Sequence, residues 1–258
     1  MQLTSIDGMR LEAAVHPARA QGARGSVVQV HGINADMTEG GMYVRLADRL
    51  ADADFNVLRF SFRGHGGSGG TQRGATIAGE MLDFQSAVEY VAEQFPGRLT
   101  VVASSFGAVA TSLSLPWLGE RLDRLVLWNP VLDLRRTFVE PELPWGTENF
   151  NAERQKLLST QGFLMLDAEF EVGRVLFEEL NRYEPMNCLL DSEVPTLVVH
   201  GDQDSAVSYE IARDAAAAKR NAGFHTVVGS DHGFDSRERE DEAIAVTTTW
   251  LAHDGERE

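Results

Sequence analysis

At 258 residues the chain is long enough to bury one large core, and its formal net charge of −16 excludes the basic face that nucleic acid or an anionic membrane surface requires. A single cysteine, Cys188, rules out an intramolecular disulfide and suits a reducing compartment. No basic segment followed by an apolar one opens the sequence, and no run approaches the roughly 18 apolar residues of a spanning helix, so the expectation is a cytoplasmic protein without a membrane span.

Residues 2–5 and 9–15 flank Asp7-Gly8, a dipeptide that predicts an antiparallel hairpin with a two-residue turn. A polar connection with Pro17, Gly22 and Gly25 leads into an apolar strand at 27–30, which ends in His31-Gly32-Ile33-Asn34. Val44, Ala47, Leu50 and Ala51 place a helix over 43–53, and a second apolar strand at 56–62 ends in Arg63-Gly64-His65-Gly66-Gly67-Ser68. Ile77, Met81, Phe84, Val88, Val91 and Phe95 recur every three or four residues, the spacing of a long amphipathic helix that Pro96-Gly97 stops. A strand at 99–103, a helix over 108–113 and a strand at 123–128 follow. This alternation predicts an α/β fold, a doubly wound, mostly parallel sheet with helices on both faces, in which ligands collect at the carboxyl ends of the strands.

The rhythm breaks over 130–190, which carries Pro141, Pro144, Pro185, Trp145, Phe150 and a helical run at 169–180, but no good strand. So long an interruption reads as a helical cap, 130–190, inserted into a core of 1–129 and 191–258. The alternation then resumes with a strand at 195–200, a helix over 209–219, a strand at 224–228 and a closing helix over 238–253. The mixed charges at 236–242 read as a solvated helix start, and 254–258 as a frayed tail.

The chemistry centres on Ala103-Ser104-Ser105-Phe106-Gly107, where an apolar strand turns abruptly into a helix. Such a turn exposes one side chain at its tip and requires small residues two before and two after it. Ser104 has Val102 and Phe106 in those places; Ser105 has Ala103 and Gly107, which nominates Ser105 as nucleophile. A serine needs an imidazole base, and the base needs a carboxylate. Ser105, then Asp202 or Asp204, then His232 each stand just past a predicted strand. His31 competes for the base role but reads better as a loop brace.

In these residues the chain resembles the serine α/β-hydrolases over nearly its whole length. The resemblance implies Asp204 as the acid, through the family's His-Gly-x-x-Asp pattern at His200-Gly201-Asp202-Gln203-Asp204. It also implies an oxyanion hole from the backbone N–H groups of Phe106 and of Ile33, the latter in a His-Gly-x motif. Arg63 to Ser68 resembles the family's Arg-Gly-x-Gly-x-Ser turn, a structural element, although Ser61 stands where the subset carries an aspartate. Residues 31–39, 57–68 and 229–234 are similar to cinnamoyl and feruloyl esterases, whereas 103–105 and 131–137 are more similar to the acyl-carrier-protein thioesterases of bacterial luciferase systems. The expected activity is therefore hydrolysis of a carboxylic ester through an acyl-enzyme, with a hydrophobic acyl or aryl group bound by Trp145, Phe150 and Phe163 of the cap. An acyl thioesterase or acyltransferase on the same triad is the alternative, and a ligand-binding receptor or scaffold is the alternative of another class. Neither metal-ligand spacing nor a dinucleotide glycine motif is present, so no metal or cofactor is expected. The expected partner is a small-molecule ester or thioester, with a homodimer left open.

Overall fold

A computed structural model describes residues 1–20 and 22–253 of the protein; the expected frayed tail at 254–258 lies outside them. The chain opens with β1 (Gln2–Thr4) and β2 (Arg10–His16), then β3 (Gly25–Val30), α1 (Met42–Asp52), β4 (Phe55–Phe60), α2 (Ile77–Gln94), β5 (Leu99–Ser104), α3 (Gly107–Leu113), α4 (Leu115–Leu118) and β6 (Leu122–Trp128). After β6 it leaves the sheet through α5 (Pro144–Asn149), α6 (Ala152–Gln161), β7 (Phe163–Leu166), β8 (Phe170–Gly173), α7 (Arg174–Glu179) and α8 (Pro185–Asp191). It returns with β9 (Thr196–Gly201), α9 (Tyr209–Ala218), β10 (Ala222–Val227) and α10 (Arg237–Ala252).

The main sheet runs β1-β2-β4-β3-β5-β6-β9-β10, parallel from β4 onward and antiparallel where β1 and β2 join. It is the expected doubly wound α/β-hydrolase sheet. Alternate residues of each central strand serve opposite faces. Val101 and Ala103 of β5 join Phe84, Val88 and Val91 of α2 and Ala212 and Ala215 of α9. Val102 joins Tyr43, Leu46 and Leu50 of α1 and Ile244 and Leu251 of α10. Because both faces are covered, β3, β5 and β9 are buried at every position, which is why they read as continuous apolar runs. No helix among the described residues is long and apolar enough to cross a membrane.

Two local expectations change. The opening hairpin forms, but Ser5 N–H donates to the Met9 carbonyl at 2.7 Å, so the loop is Ile6-Asp7-Gly8 with Gly8 at φ +87°, not a two-residue Asp-Gly turn. Within 130–190, the helical run expected at 169–180 is instead β8 followed by α7, and β8 pairs antiparallel with β7, where no strand was expected. Burial alternates along both strands: Leu164 and Leu166 are buried beside exposed Met165, and Phe170 and Val172 flank half-buried Glu171. The turn between them carries Asp167 and Ala168 in the left-handed region (φ +48° and +58°) and closes with Glu169 N–H on the Leu166 carbonyl. Alanine rarely takes that conformation, so the usual Asn-Gly hairpin signal is absent.

This hairpin docks beyond the carboxyl ends of the strands. Glu171 N–H donates to Gln72 Oε1 at 3.0 Å, and its carboxylate pairs with Arg73 at 2.6 Å. Glu179 of α7 accepts the Ile77 N–H at the start of α2 at 2.6 Å. A third apolar cluster results, joining Phe138, Phe150, Leu166, Phe170 and Leu176 to Ile33 and Phe106 at the strand ends.

Candidate active site

Strand β5 ends at Ser104, and Ser105 adopts φ +48° before α3 begins at Gly107. A serine held there costs on the order of 1–3 kcal/mol, which the surrounding packing must offset. Ser105 N–H donates to the Trp128 carbonyl at 2.8 Å, and the Ser105 carbonyl accepts Val131 N–H at 3.0 Å, so the end of β6 grips the turn from both sides. Gly107 is required by close approach: a Cβ there would stand 2.5 Å from the His31 carbonyl oxygen and 2.6 Å from that of Val30. Ala103 is wholly buried, in keeping with the small residue expected there.

The loop after β10 carries His232 to this turn. Its Nε2 lies 2.9 Å from Ser105 Oγ and its Nδ1 lies 2.8 Å from Asp204 Oδ2. Asp204 is buried in the loop after β9, where Oδ1 accepts the N–H groups of Ala206 and Val207 and Oδ2 also faces His200 Nε2 at 3.1 Å. Burial alone would raise the Asp204 carboxyl, but the His232 charge and the hydrogen bonds from His200 and His232 hold it well below the usual carboxylate range. Burial pulls the other way on His232 too, yet the charge of Asp204 and its hydrogen bond, with smaller contributions from Glu39 and Asp231, raise its pKa above the usual value. An ionised Asp204 therefore directs the Nδ1 proton inward and leaves the Nε2 lone pair facing the serine. Asp202 does not reach the ring; its Oδ1 accepts Gly229 N–H at 2.6 Å and ties the two loops together. Asp231 is a second tie, accepting both N–H and Oγ–H of Ser205 at 2.8 Å.

His31 lies away from the serine's proton. Its Nδ1 lies 2.8 Å from the Gly32 carbonyl and its Nε2 accepts Phe62 N–H at 2.9 Å, while burial lowers its pKa to about 3, so it stays neutral and braces the loop. His65 Nε2 lies 2.8 Å from the Ile33 carbonyl and its ring stacks on Phe170, which ties the Arg63–Ser68 turn to the same loop. Arg63 itself is held by Asp83 and Asp7, and Ser61 Oγ accepts Met37 N–H, so the turn closes without an aspartate at 61. Among the described residues, neither the Ile33 N–H nor the Phe106 N–H has an acceptor, although both residues are buried. Unspent buried N–H groups are rare in folded chains and mark a place where a ligand oxygen would be stabilised.

Trp145 Nε1 donates to Asp167 Oδ1 at 3.0 Å, and Asn34 Nδ2 donates to Asp167 Oδ2 at 3.2 Å, so the β7–β8 turn is pinned to α5 and to the residue following Ile33. Phe150 is 1% exposed, edge-on to Phe138 and stacked on Phe177; it shapes the site only through its neighbours. Phe163 lies beneath the Arg73 guanidinium, 3.6 Å from its ring centroid. Beside the loop that follows β3 opens a cavity of about 320 Å³ lined by Asn34, Asp36, Thr38, His65, Gln72 and Phe170.

One residue had no sequence signal. Glu39 brings its carboxyl under Gly32, accepting that N–H at 2.9 Å, and burial raises its pKa to about 7 despite this bond. The one local hint is Gly40-Gly41, which permits the turn that points Glu39 inward.

A profile of the family described as serine aminopeptidase, S33, matches residues 21–163, more than half of the chain. The chain belongs to that family. No curated protein sequence matches it. Among solved structures, the ferulic acid complex of Est1E from Butyrivibrio proteoclasticus superposes with a TM-score of 0.80 at 19% identity, covering 98% of this chain and 100% of that one. A protein from Agrobacterium vitis S4 gives 0.79 at 21%, covering 96% of each, and an esterase from Pyrococcus furiosus gives 0.71 at 20%, covering 97% of this chain and 88% of that one. At these identities the likeness is one of fold, and this member of the S33 family shares the α/β-hydrolase architecture with all three.

Proposed function

We propose that the protein hydrolyses carboxylic esters, with Ser105 as nucleophile, His232 as general base and acid, and Asp204 as the carboxylate that fixes the His232 tautomer. The observation that carries this reading is the unbroken relay from Ser105 Oγ to His232 to Asp204, set beside two unspent backbone N–H groups. Ser105 Oγ attacks the ester carbonyl while His232 Nε2 takes its proton. The carbonyl oxygen becomes an oxyanion stabilised by the N–H groups of Phe106 and Ile33. Collapse expels the alcohol, protonated by His232, and leaves an acyl-Ser105. Water then gives its proton to His232 and attacks the acyl carbon, and collapse releases the acid and returns the proton to Ser105.

Residues 130–190 act in this scheme as a cap. Their cluster closes on Ile33 and Phe106, and the polar cavity starting at Asn34 suits an aryl acyl group bearing hydroxyl or methoxy substituents better than a plain long alkyl chain. The structural likeness to a protein with ferulic acid bound agrees with an aryl acid. An ester is favoured over a coenzyme A thioester because Arg73, Arg135, Arg136 and Arg174, on and beside the cap, are each paired with a glutamate and offer little spare charge for phosphates.

Relative kcat/KM over a panel tests this: methyl ferulate and p-nitrophenyl cinnamate, p-nitrophenyl acetate and octanoate, an acyl-CoA, and an aminoacyl p-nitroanilide for the peptidase activity in the family's description. The aryl esters are expected to lead. A lead by acetate would remove the aryl pocket from the account, and a lead by the thioester or the anilide would replace the ester.

A further inference from the structure

Glu39 is a half-buried residue beside the Ser105–His232 pair whose titratable carboxyl acyl transfer as described leaves unused. Its Oε2 takes the Gly32 N–H at 2.9 Å, while the Gly32 carbonyl lies 2.8 Å from His31 Nδ1. Gly32 is thus fixed at both ends, and the next N–H along the chain is the open one of Ile33. The other carboxyl oxygen and the nucleophile both adjoin Gly32: a Cβ there would stand 3.5 Å from Glu39 Oε1 and 3.7 Å from Ser105 Oγ. The backbone reaches this placement through three successive left-handed residues, Glu39 (φ +45°), Gly40 (+63°) and Gly41 (+91°), of which only the glycines take that conformation freely.

Every element around the carboxyl contributes a facing group. Asp36 comes from its own loop, the Gly32 N–H from the loop after β3, the buried Ser104 hydroxyl from β5, Tyr43 from α1 and His232 from the loop after β10. His232 is faced in turn by Asp204 and Asp231.

Resting on the ester-hydrolase reading above, we propose that Glu39 is a positioning residue: its carboxylate holds Gly32 so that Ile33 N–H faces the oxyanion, and its negative charge favours the imidazolium that His232 becomes when it takes the serine proton. The same charge carries a penalty below neutral pH. With a pKa raised by burial to about 7, Glu39 takes up its proton near neutrality and loses the charge that favours the imidazolium, while protonation of His232 removes the base itself. The acid side of the activity profile therefore belongs to the pair, not to His232 alone.

The test is the pH dependence of Ser105 phosphonylation by a fluorophosphonate, followed by intact mass, on the wild type and on Glu39→Gln. Glutamine keeps an oxygen for the Gly32 N–H and loses only the charge and the titration. The wild-type rate is expected to fall below neutrality over a broader pH span than one proton gives, because protonating Glu39 lowers the His232 pKa. In Glu39→Gln the fall becomes a one-proton limb displaced to lower pH, because His232 loses a raising influence. Its plateau rate drops severalfold, because the imidazolium formed during attack loses the facing charge of Glu39. Superimposable profiles for the two proteins overturn the proposal. The Glu39 carboxyl of the wild type, followed by 13C NMR, is expected to titrate above the usual carboxylate range; titration within that range overturns the proposal without any variant, which covers a Glu39→Gln chain that does not fold. Absence of Ser105 labelling at every pH in folded wild type refutes the ester-hydrolase reading instead.

Discussion

Replacing Asp204 by asparagine preserves its volume but converts one acceptor oxygen into a donor, and the geometry dictates which one. Oδ1 accepts two backbone N–H groups, from Ala206 at 2.9 Å and Val207 at 2.8 Å, and an asparagine keeps its carbonyl oxygen there. The amide NH2 then stands where Oδ2 was, 2.8 Å from His232 Nδ1 and 3.1 Å from His200 Nε2. His232 must present a lone pair at Nδ1, which moves its proton to Nε2, toward Ser105 Oγ, and abolishes its capacity to accept the serine proton. A triad left in that tautomer loses on the order of 10⁴-fold in kcat. His200 Nε2 is buried and retains only the Val207 carbonyl at 3.2 Å, so a stability loss of about 1–3 kcal/mol accompanies the kinetic one. The assay is single-turnover acylation with a p-nitrophenyl ester, scaled to folded protein by near-UV circular dichroism, with Asp202→Asn as control. Asp202 holds Gly229 N–H through one oxygen that asparagine supplies equally well, so the control stays within a few-fold of wild type. Near-normal acylation by Asp204→Asn, or collapse of Asp202→Asn in its place, would refute this account of the acid.

Three further outcomes are expected. Gly107→Ala places a methyl 2.5 Å from the His31 carbonyl oxygen, so the elbow must shift; thermal unfolding should show a loss of about 1–3 kcal/mol with sharply reduced acylation, and an unchanged melting temperature contradicts the close approach. Because Asp204 raises the His232 pKa, burial raises that of Glu39, and the site works with His232 neutral and Glu39 ionised, kcat/KM should climb with pH through a midpoint above 6.5, and a midpoint below that value contradicts the sign. Asp167→Ala removes the shared acceptor of Trp145 and Asn34, so limited proteolysis within 130–190 should accelerate and KM should rise more than kcat falls; identical cleavage rates would show that the pin has no role.

The sheet and the strand–helix elbow at Ser105 were legible because their requirements are local. Val101, Val102 and their neighbours must be apolar on both faces, and the elbow must be a glycine at 107 because a Cβ there would meet the Val30 and His31 carbonyls. His232 could be nominated because it follows a strand whose end the pattern already locates; the same pattern left Asp202 and Asp204 open, and the resemblance at His200-Gly201-Asp202-Gln203-Asp204 nominated Asp204. What stayed hidden depends on unusual backbone or on distance in sequence. The β7–β8 hairpin turns on Asp167 and Ala168, and a left-handed alanine leaves no turn motif. Phe150, expected as pocket lining, is enclosed by Phe138 and Phe177, a consequence of packing within 130–190 that its own position does not encode. Glu39 enters the site only because three left-handed residues fold its loop back beneath Gly32; a glutamate in a polar loop otherwise reads as solvated.

The central claim is that Ser105 is an activated nucleophile. Intact-mass analysis after fluorophosphonate treatment, wild type beside Ser105→Ala, tests it most directly. One adduct per wild-type chain and none on the variant is the predicted result. An adduct that persists on Ser105→Ala, or none on a well-folded wild type, would contradict the claim.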